Sequence, residues 1–287
     1  MLNNFKLQPI RFILFFYVLC FVFRGIEYLV IRTDQTIIGE AFIHKLFGIA
    51  LLAAALWLLK YKWPDIGFRR GQAVRGTLLG LLLGGSVFAV AYTVEMLLQA
   101  SAGNSPSLQF FVTSYAIQGN RGMQDGLMFI LICIAGNIIN VIMEEGVFRG
   151  LFLRLMEEKY TFAKSCILTS ILFGIWHIMQ PVRNVLDGEQ SVMGALMSGI
   201  LLVTTSTLLA IQFCMLLKVT GSIWAGMAAH FVNNAIINLL HVSTSAGVDE
   251  MQTVRIAIAQ SLSFVVVLVF FLLYIRRKKQ LKESPVL

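Results

Sequence analysis

Charge is scarce in this sequence. Of 287 residues only 13% are Asp, Glu, Lys or Arg, about half the share of a soluble domain. That shortage excludes a soluble enzyme and a disordered tail. Cysteine is sparse too. Cys20, Cys133, Cys166 and Cys214 all fall in apolar runs without zinc-type spacing. A disulfide scaffold is thereby excluded, and the thiols are expected buried and reduced. The five Asp (34, 65, 125, 187, 249) lie in loops or at the ends of apolar runs, so no buried aspartyl pair exists. There is no His-Glu-x-x-His helix, no Ser in a nucleophile context beside a His, and no internal repeat of the transporter kind. What is abundant is apolar: 57% hydrophobic and 11% aromatic residues, with mean hydropathy +0.79.

A membrane span takes about 20 apolar residues. The runs 11–31, 37–59, 74–99, 126–156, 165–180, 192–217, 222–241 and 254–275 predict an all-α polytopic membrane protein of about eight transmembrane helices. The first run follows Lys6 and Arg11, as a signal peptide would. Arg24 stands where a small-residue cleavage site would be needed, so a retained span is expected. The net charge is +8, and on a soluble protein that suggests nucleic acid. Here the basic residues flank apolar runs as topology signals, and no nucleic-acid partner is expected. The second connection carries Lys60, Lys62, Arg69, Arg70 and Arg75. The fourth carries Arg154, Lys159 and Lys164, the sixth Lys218, and the tail Arg276, Arg277, Lys278, Lys279 and Lys282. The opposite connections hold only Arg32, Arg121 and Arg183. Cytoplasmic N- and C-termini follow. The long loop 100–125, partly apolar, reads as a surface loop at the headgroups, or else an interfacial helix or lid.

Charges deep in a span cost about 2.5–3.5 kcal/mol each. The fourth run nevertheless holds Asn137, Asn140, Glu144, Glu145 and Arg149. On an α-helix Glu145 and Arg149 meet at i, i+4, while Asn137, Asn140 and Glu144 form one stripe. A charge cluster snorkelling from a helix end is the bland alternative, but Glu is too short to snorkel from that depth. The fifth run contains Phe173-x-x-x-His177 and the seventh His230-x-x-x-Asn234, with Asn238 and His241 continuing the stripe. Each alone could be an interhelical hydrogen-bonding group.

Their depths change the weighing. A tight turn near Thr161 makes the fourth and fifth runs a hairpin. Glu144 and His177 then both sit about 25 Å from that turn. His230 and Asn234 lie about 14 and 20 Å along the seventh run, which starts on the same side. One Glu, two His and one Asn thus converge. A carboxylate and an imidazole facing one water can deprotonate it, while a second His and an Asn amide donate to an oxyanion. Glu144, His177 and His230 would equally serve as a catalytic zinc ligand set. Either arrangement hydrolyses an amide. A non-catalytic peptide-binding protein and a proton- or metal-coupled transporter are the competing readings.

Glu144-Glu145-x-x-x-Arg149, Phe173-x-x-x-His177 and His230-x-x-x-Asn234 resemble, in order and without substitution, the three motifs of the CPBP family. That family includes the type II CAAX prenyl endopeptidases (Rce1-like) and bacterial Abi-type proteins linked to bacteriocin processing and immunity. Asp65-Ile-Gly-Phe-Arg-Arg70 looks like a basic loop preceding the family's core. The resemblance implies an eight-helix intramembrane endopeptidase, called a metalloprotease, in a bacterial cell membrane. Its substrate would be a peptide bond in a membrane-associated or lipidated protein or a leader peptide. By it, Glu144 and His177 activate water, His230 and Asn234 hold the oxyanion, and Glu145 and Arg149 orient Glu144. Whether a metal such as zinc serves as cofactor stays open. The expected organisation is three N-terminal spans and an outer loop over 1–125, the catalytic core over 126–241, and a last span with its basic tail over 242–287. Membrane lipid and a peptide or membrane-protein substrate are the expected partners.

Overall fold

The computed structural model describes residues 8–36, 39–113, 116–117, 120–121 and 123–283. The chain is a polytopic helical protein, with a helix at each of the eight expected places. These are α1 (Pro9–Ile26), α2 (Ile43–Leu59), α3 (Ala73–Ser101), α4 (Leu127–Glu144), α5 (Phe162–Trp176), α6 (Met179–Leu186), α7 (Val192–Thr220), α8 (Trp224–Leu239) and α9 (Gln252–Glu283). Helices α5 and α6 share one apolar run. Among the described residues, six helical stretches are long and apolar enough to cross a membrane. Helices α2 and α8, with 17 and 16 residues, fall short of the usual span.

Contacts sort the connections into two sets. The Ile223 amide donates to the Gly67 carbonyl at 3.1 Å, the Trp224 indole donates to the Arg69 carbonyl at 3.1 Å, and Lys218 pairs with Glu157 at 2.7 Å. These bonds join the second, fourth and sixth connections. Arg32 pairs with Asp187 at 2.6 Å and Arg183 with Asp34 at 2.8 Å, joining the first to the fifth. The third meets the seventh through strands β1 (Ser107–Phe110) and β4 (Leu240–Ser243), antiparallel with Leu108 opposite Val242. Among its described residues the loop 100–125 is therefore not an interfacial helix. It carries β1 and a small pair, β2 (Ala116–Ile117) with β3 (Asn120–Arg121).

Small residues decide how closely the helices approach. Gly76, Gly80 and Gly84 recur every fourth residue on α3 and face α8. A methyl on Gly80 would lie 2.3 Å from the Ala225 carbonyl oxygen. Without a hydrophobic force between helices in lipid, such backbone-to-backbone contact supplies the packing. Gly174 does the same for α5 against α7, where a methyl would meet Thr207 Oγ1 at 2.2 Å. All four cysteines are buried and free.

Two stretches depart from the expected regular helix: the first run ends as a π-helix over Glu27–Ile31, and the longer departure follows Glu144. After Glu144 the chain continues as a π-helix over Glu145–Phe152 before returning to α over Leu153–Glu157. All eight residues of this longer π-helix are buried. Gly146 lets Leu52 of α2 press against this wide turn; a methyl there would lie 2.7 Å from Leu52 Cδ2. π-turns inside α-helices are rare and cluster at functional sites.

Candidate active site

Glu144 closes α4 at the entry to the π-turn and is 3% exposed. Asn140, one turn earlier, donates Nδ2 to its Oε2 at 3.1 Å, and the Trp176 indole donates to Oε1 at 2.9 Å. The Trp176 bond crosses from α5 to α4, so the two arms of the hairpin are level here, as the count from Thr161 predicts. Thr161 caps α5 by accepting from the Lys164 amide.

His177 does not sit within a helix. It is the C-cap of α5, and a turn separates it from α6. Its Nδ1 lies 2.9 Å from the Phe173 carbonyl. With Nδ1 as donor, Nε2 is left with a free lone pair. The ring is partly buried and close enough to Glu144 to interact with it electrostatically. His230, on α8, is held by Glu145: Nδ1 to Oε1 is 2.8 Å, while Nε2 is 3.6 Å from Glu144 Oε2. Its ring stacks on Phe213 at 5.1 Å. Glu145 turns its other oxygen to Arg149 Nε at 3.3 Å. The Arg149 guanidinium lies over the Phe173 ring, 3.9 Å from its centroid. Asn234 follows His230 by one turn of α8, and its Oδ1 accepts from Asn233 at 3.1 Å, which leaves its amide hydrogens to donate elsewhere.

Two members of the expected stripes lie elsewhere. Asn137 bonds back to the Cys133 carbonyl of its own helix at 2.9 Å. His241 leaves the α8 face, because the helix stops at Leu239 and His241 enters β4. There it bonds Asp249 at 2.5 Å and stacks on Phe111.

Residues 126–236 match a family model described as type II CAAX prenyl endopeptidase Rce1-like. The core is Rce1-like. The matched stretch contains all three motifs, and the resemblance read from them holds at family level. Comparisons with curated proteins and with solved structures gave no match. With six helical stretches among the described residues long and apolar enough to cross a membrane, the chain is a multi-pass membrane protein whose core is similar to that family.

Several groups around the Rce1-like core escaped the sequence reading. Arg24 of α1 is buried, with Nη1 3.7 Å from Glu144 Oε1 and its guanidinium over the Trp176 ring at 4.6 Å. The same nitrogen lies 3.4 Å from His44 Nε2 on α2. His44 Nδ1 bonds Glu27 at 2.5 Å, and Glu27 also accepts from Thr33 and from the amides of Ile43 and His44. A buried relay thus runs from Glu27 through His44 and Arg24 to Glu144, and its three members before Glu144 all lie outside the matched segment. The signal was present: ionisable residues inside apolar runs are functional candidates by default.

Among the described residues, no group of three or more His, Cys, Asp or Glu is arranged to hold a metal ion. Glu144 has one oxygen on Trp176 and the other on Asn140, and His230 Nδ1 is taken by Glu145. His177 and His230 both keep Nε2 clear of these bonds, so Glu144, His177 and His230 are the residues that would hold a divalent ion, which would polarise the attacked carbonyl; no step below passes through a metal.

Proposed function

We propose that the chain is an intramembrane endopeptidase of a bacterial cell membrane. It hydrolyses a peptide bond in a membrane-associated or lipidated protein or a leader peptide. The observation that carries this reading is the buried Glu144 carboxylate. It is pinned on both oxygens, lies 3.6 Å from the His230 ring, and has a partly exposed His177 at the same level.

In this reading Glu144 and His177 take a proton from water, which attacks the carbonyl carbon. The oxyanion receives hydrogen bonds from His230 Nε2, in its protonated form, and from the Asn234 amide. Glu145 fixes the His230 ring through Nδ1, and Arg149 holds Glu145. The proton taken from water then passes to the leaving amine. Arg24 and Trp176 aim the Glu144 carboxylate, which lowers the reorganisation needed in the transition state.

An apolar groove of about 600 Å3 supports the substrate class. It begins at Ile178, the residue after His177, and runs between α6 and α7 past Pro181, Val185, Leu196 and Ile200. Such a surface suits an apolar or lipid-bearing segment. The two sets of connections support cytoplasmic termini, since the Lys- and Arg-rich ones share one face.

The test is comparative membrane proteomics of cells carrying wild type or Glu144→Gln. A membrane-associated protein or leader peptide should accumulate uncut in the variant. Full processing in the Glu144→Gln cells refutes the enzyme and leaves a peptide-binding protein.

A further inference from the structure

On the face shared by the second, fourth and sixth connections, a polar cavity of about 390 Å3 opens. It lies apart from the His177 groove and contains neither Glu144 nor His230. Its floor is Arg149, 1% exposed. Its rim carries Arg69, Arg154 and Lys278, all exposed, the last brought in by α9. Lys218 also lines the cavity but is paired with Glu157, and Arg149 is balanced by Glu145. Against the three remaining cations stands only Asp65. The lining therefore keeps an excess of two positive charges.

The second observation concerns Arg149 itself. Neither Nη1 nor Nη2 has a hydrogen-bond partner, although both are buried. Leaving the donors of a buried charged group unmet is costly. The Phe173 ring covers one face of the guanidinium but cannot replace acceptors in its plane. An anion entering the cavity would meet these donors, and the planar fork of arginine matches the oxygens of a phosphate in pairs.

We infer that this cavity is a binding site for a phosphate group. Two positive charges in excess suit a phosphate mono- or dianion, and the volume admits a phosphate with its substituent. The group could come from an anionic phospholipid headgroup or from a soluble phosphate, since the cavity lies where the helices end.

The purified full chain in neutral detergent is titrated by calorimetry with inorganic phosphate and, separately, with short-chain phosphatidylglycerol. Short-chain phosphatidylcholine serves as the reference lipid. Saturable one-to-one binding is expected for phosphate, for phosphatidylglycerol or for both. It should weaken about tenfold in Arg154→Gln and in Lys278→Gln, the loss expected from one charge-assisted bond. Arg277→Gln, which removes a neighbouring tail charge outside the cavity, should leave binding unchanged. Binding of inorganic phosphate assigns a soluble ligand; binding of phosphatidylglycerol alone assigns a headgroup. Arg69→Gln repeats the test on a different segment, independent of the folding of α9. Absence of saturable binding of either probe overturns the site. So does equal binding in the rim variants, or a loss in Arg277→Gln as large as in Lys278→Gln, which would mark diffuse attraction to the tail.

Discussion

Replacing Gly80 by alanine tests how α8, which carries His230 and Asn234, is set against the rest of the core. The new methyl would lie 2.3 Å from the Ala225 carbonyl oxygen and 2.7 Å from Ala228 Cβ, where ordinary contact starts at 3.4 Å. Both obstacles belong to the rigid body of α8, so no side chain can swing away. Helices α3 and α8 must part by about 1.1 Å, the difference between the first and last of those distances. The His230 bond to Glu145, now 2.8 Å, would stretch beyond hydrogen-bonding range if α8 moved by that amount away from α4. Overpacking of this kind costs about 1–3 kcal/mol. A misplacement of about 1 Å in a reacting constellation costs about 10²-fold in rate. The assay is thermal unfolding of the purified protein in detergent beside cleavage of its substrate. Gly85→Ala is the control, because a methyl there meets no atom within 4 Å, and it should keep or slightly raise stability through helix propensity. A Gly80→Ala protein with the midpoint of Gly85→Ala would refute the close approach.

Arg149→Ala should lower the thermal midpoint as well as activity, because Glu145 loses its 3.3 Å partner and breaking a buried pair costs about 3–5 kcal/mol; unchanged stability in detergent would defeat the pairing. Trp176→Phe keeps one aromatic ring but removes the pyrrole half of the indole and with it the 2.9 Å donor to Glu144. Hydrogen bonds to charged groups are worth about 1.5–3 kcal/mol, so turnover should fall about ten- to a hundredfold with folding intact, and an unchanged kcat speaks against an aiming role. Glu95→Ala strips Arg255 of its 2.6 Å partner in the third run while Asp249 stays at 2.7 Å, so a loss near the lower end, about 3 kcal/mol, is expected in the same unfolding assay. Acid should weaken the face where the odd connections meet. Arg32 holds the Asp187 carboxyl below its ordinary range. Burial would raise Asp249, but its bonds to His241 and Arg255 prevail and hold it low as well. A depressed folded pKa gives stability that is present above the unfolded carboxylate value of about 3.9 and lost as pH falls through the folded value. Thermal midpoints should therefore drop below about pH 4, less steeply in Asp249→Asn, whose φ of 58° Asn tolerates; an identical acid profile in that variant would exclude the linkage.

The helices and the meeting of Glu144, His177 and His230 were legible because both follow from counting. Apolar run lengths give spans, and a fixed rise per residue on either side of Thr161 sets depth. What counting misses is where the helical period changes. The π-turn at Glu145–Phe152 sets Gly146 under Leu52 and Gly150 against Ile66, contacts with segments remote in sequence. The same holds for His241. Nothing local marks Leu239 as the last helical residue; pairing of Leu240 with Phe110 of β1 ends the helix and turns His241 toward Asp249.

The first two helices make a different case. Arg24 stands in the sequence as the residue that spoils a cleavage site, and Glu27 and His44 draw no reading there. That reading treats one helix at a time. Buried together they form a single object: Glu27 holds His44, His44 accepts from Arg24, and Arg24 reaches Glu144. An isolated arginine at that depth would be expensive, and a carboxylate beside it removes much of the cost. The charges of α1 and α4 therefore explain each other. The segment 126–236 would expose one side of Glu144 without α1, so the site is completed from outside the stretch that identifies it. If so, Arg24→Gln should reduce turnover while the contacts of Glu145 with His230 and Arg149 persist. Activity at the wild-type level in a stably folded Arg24→Gln protein would show that the relay only holds α1 in place.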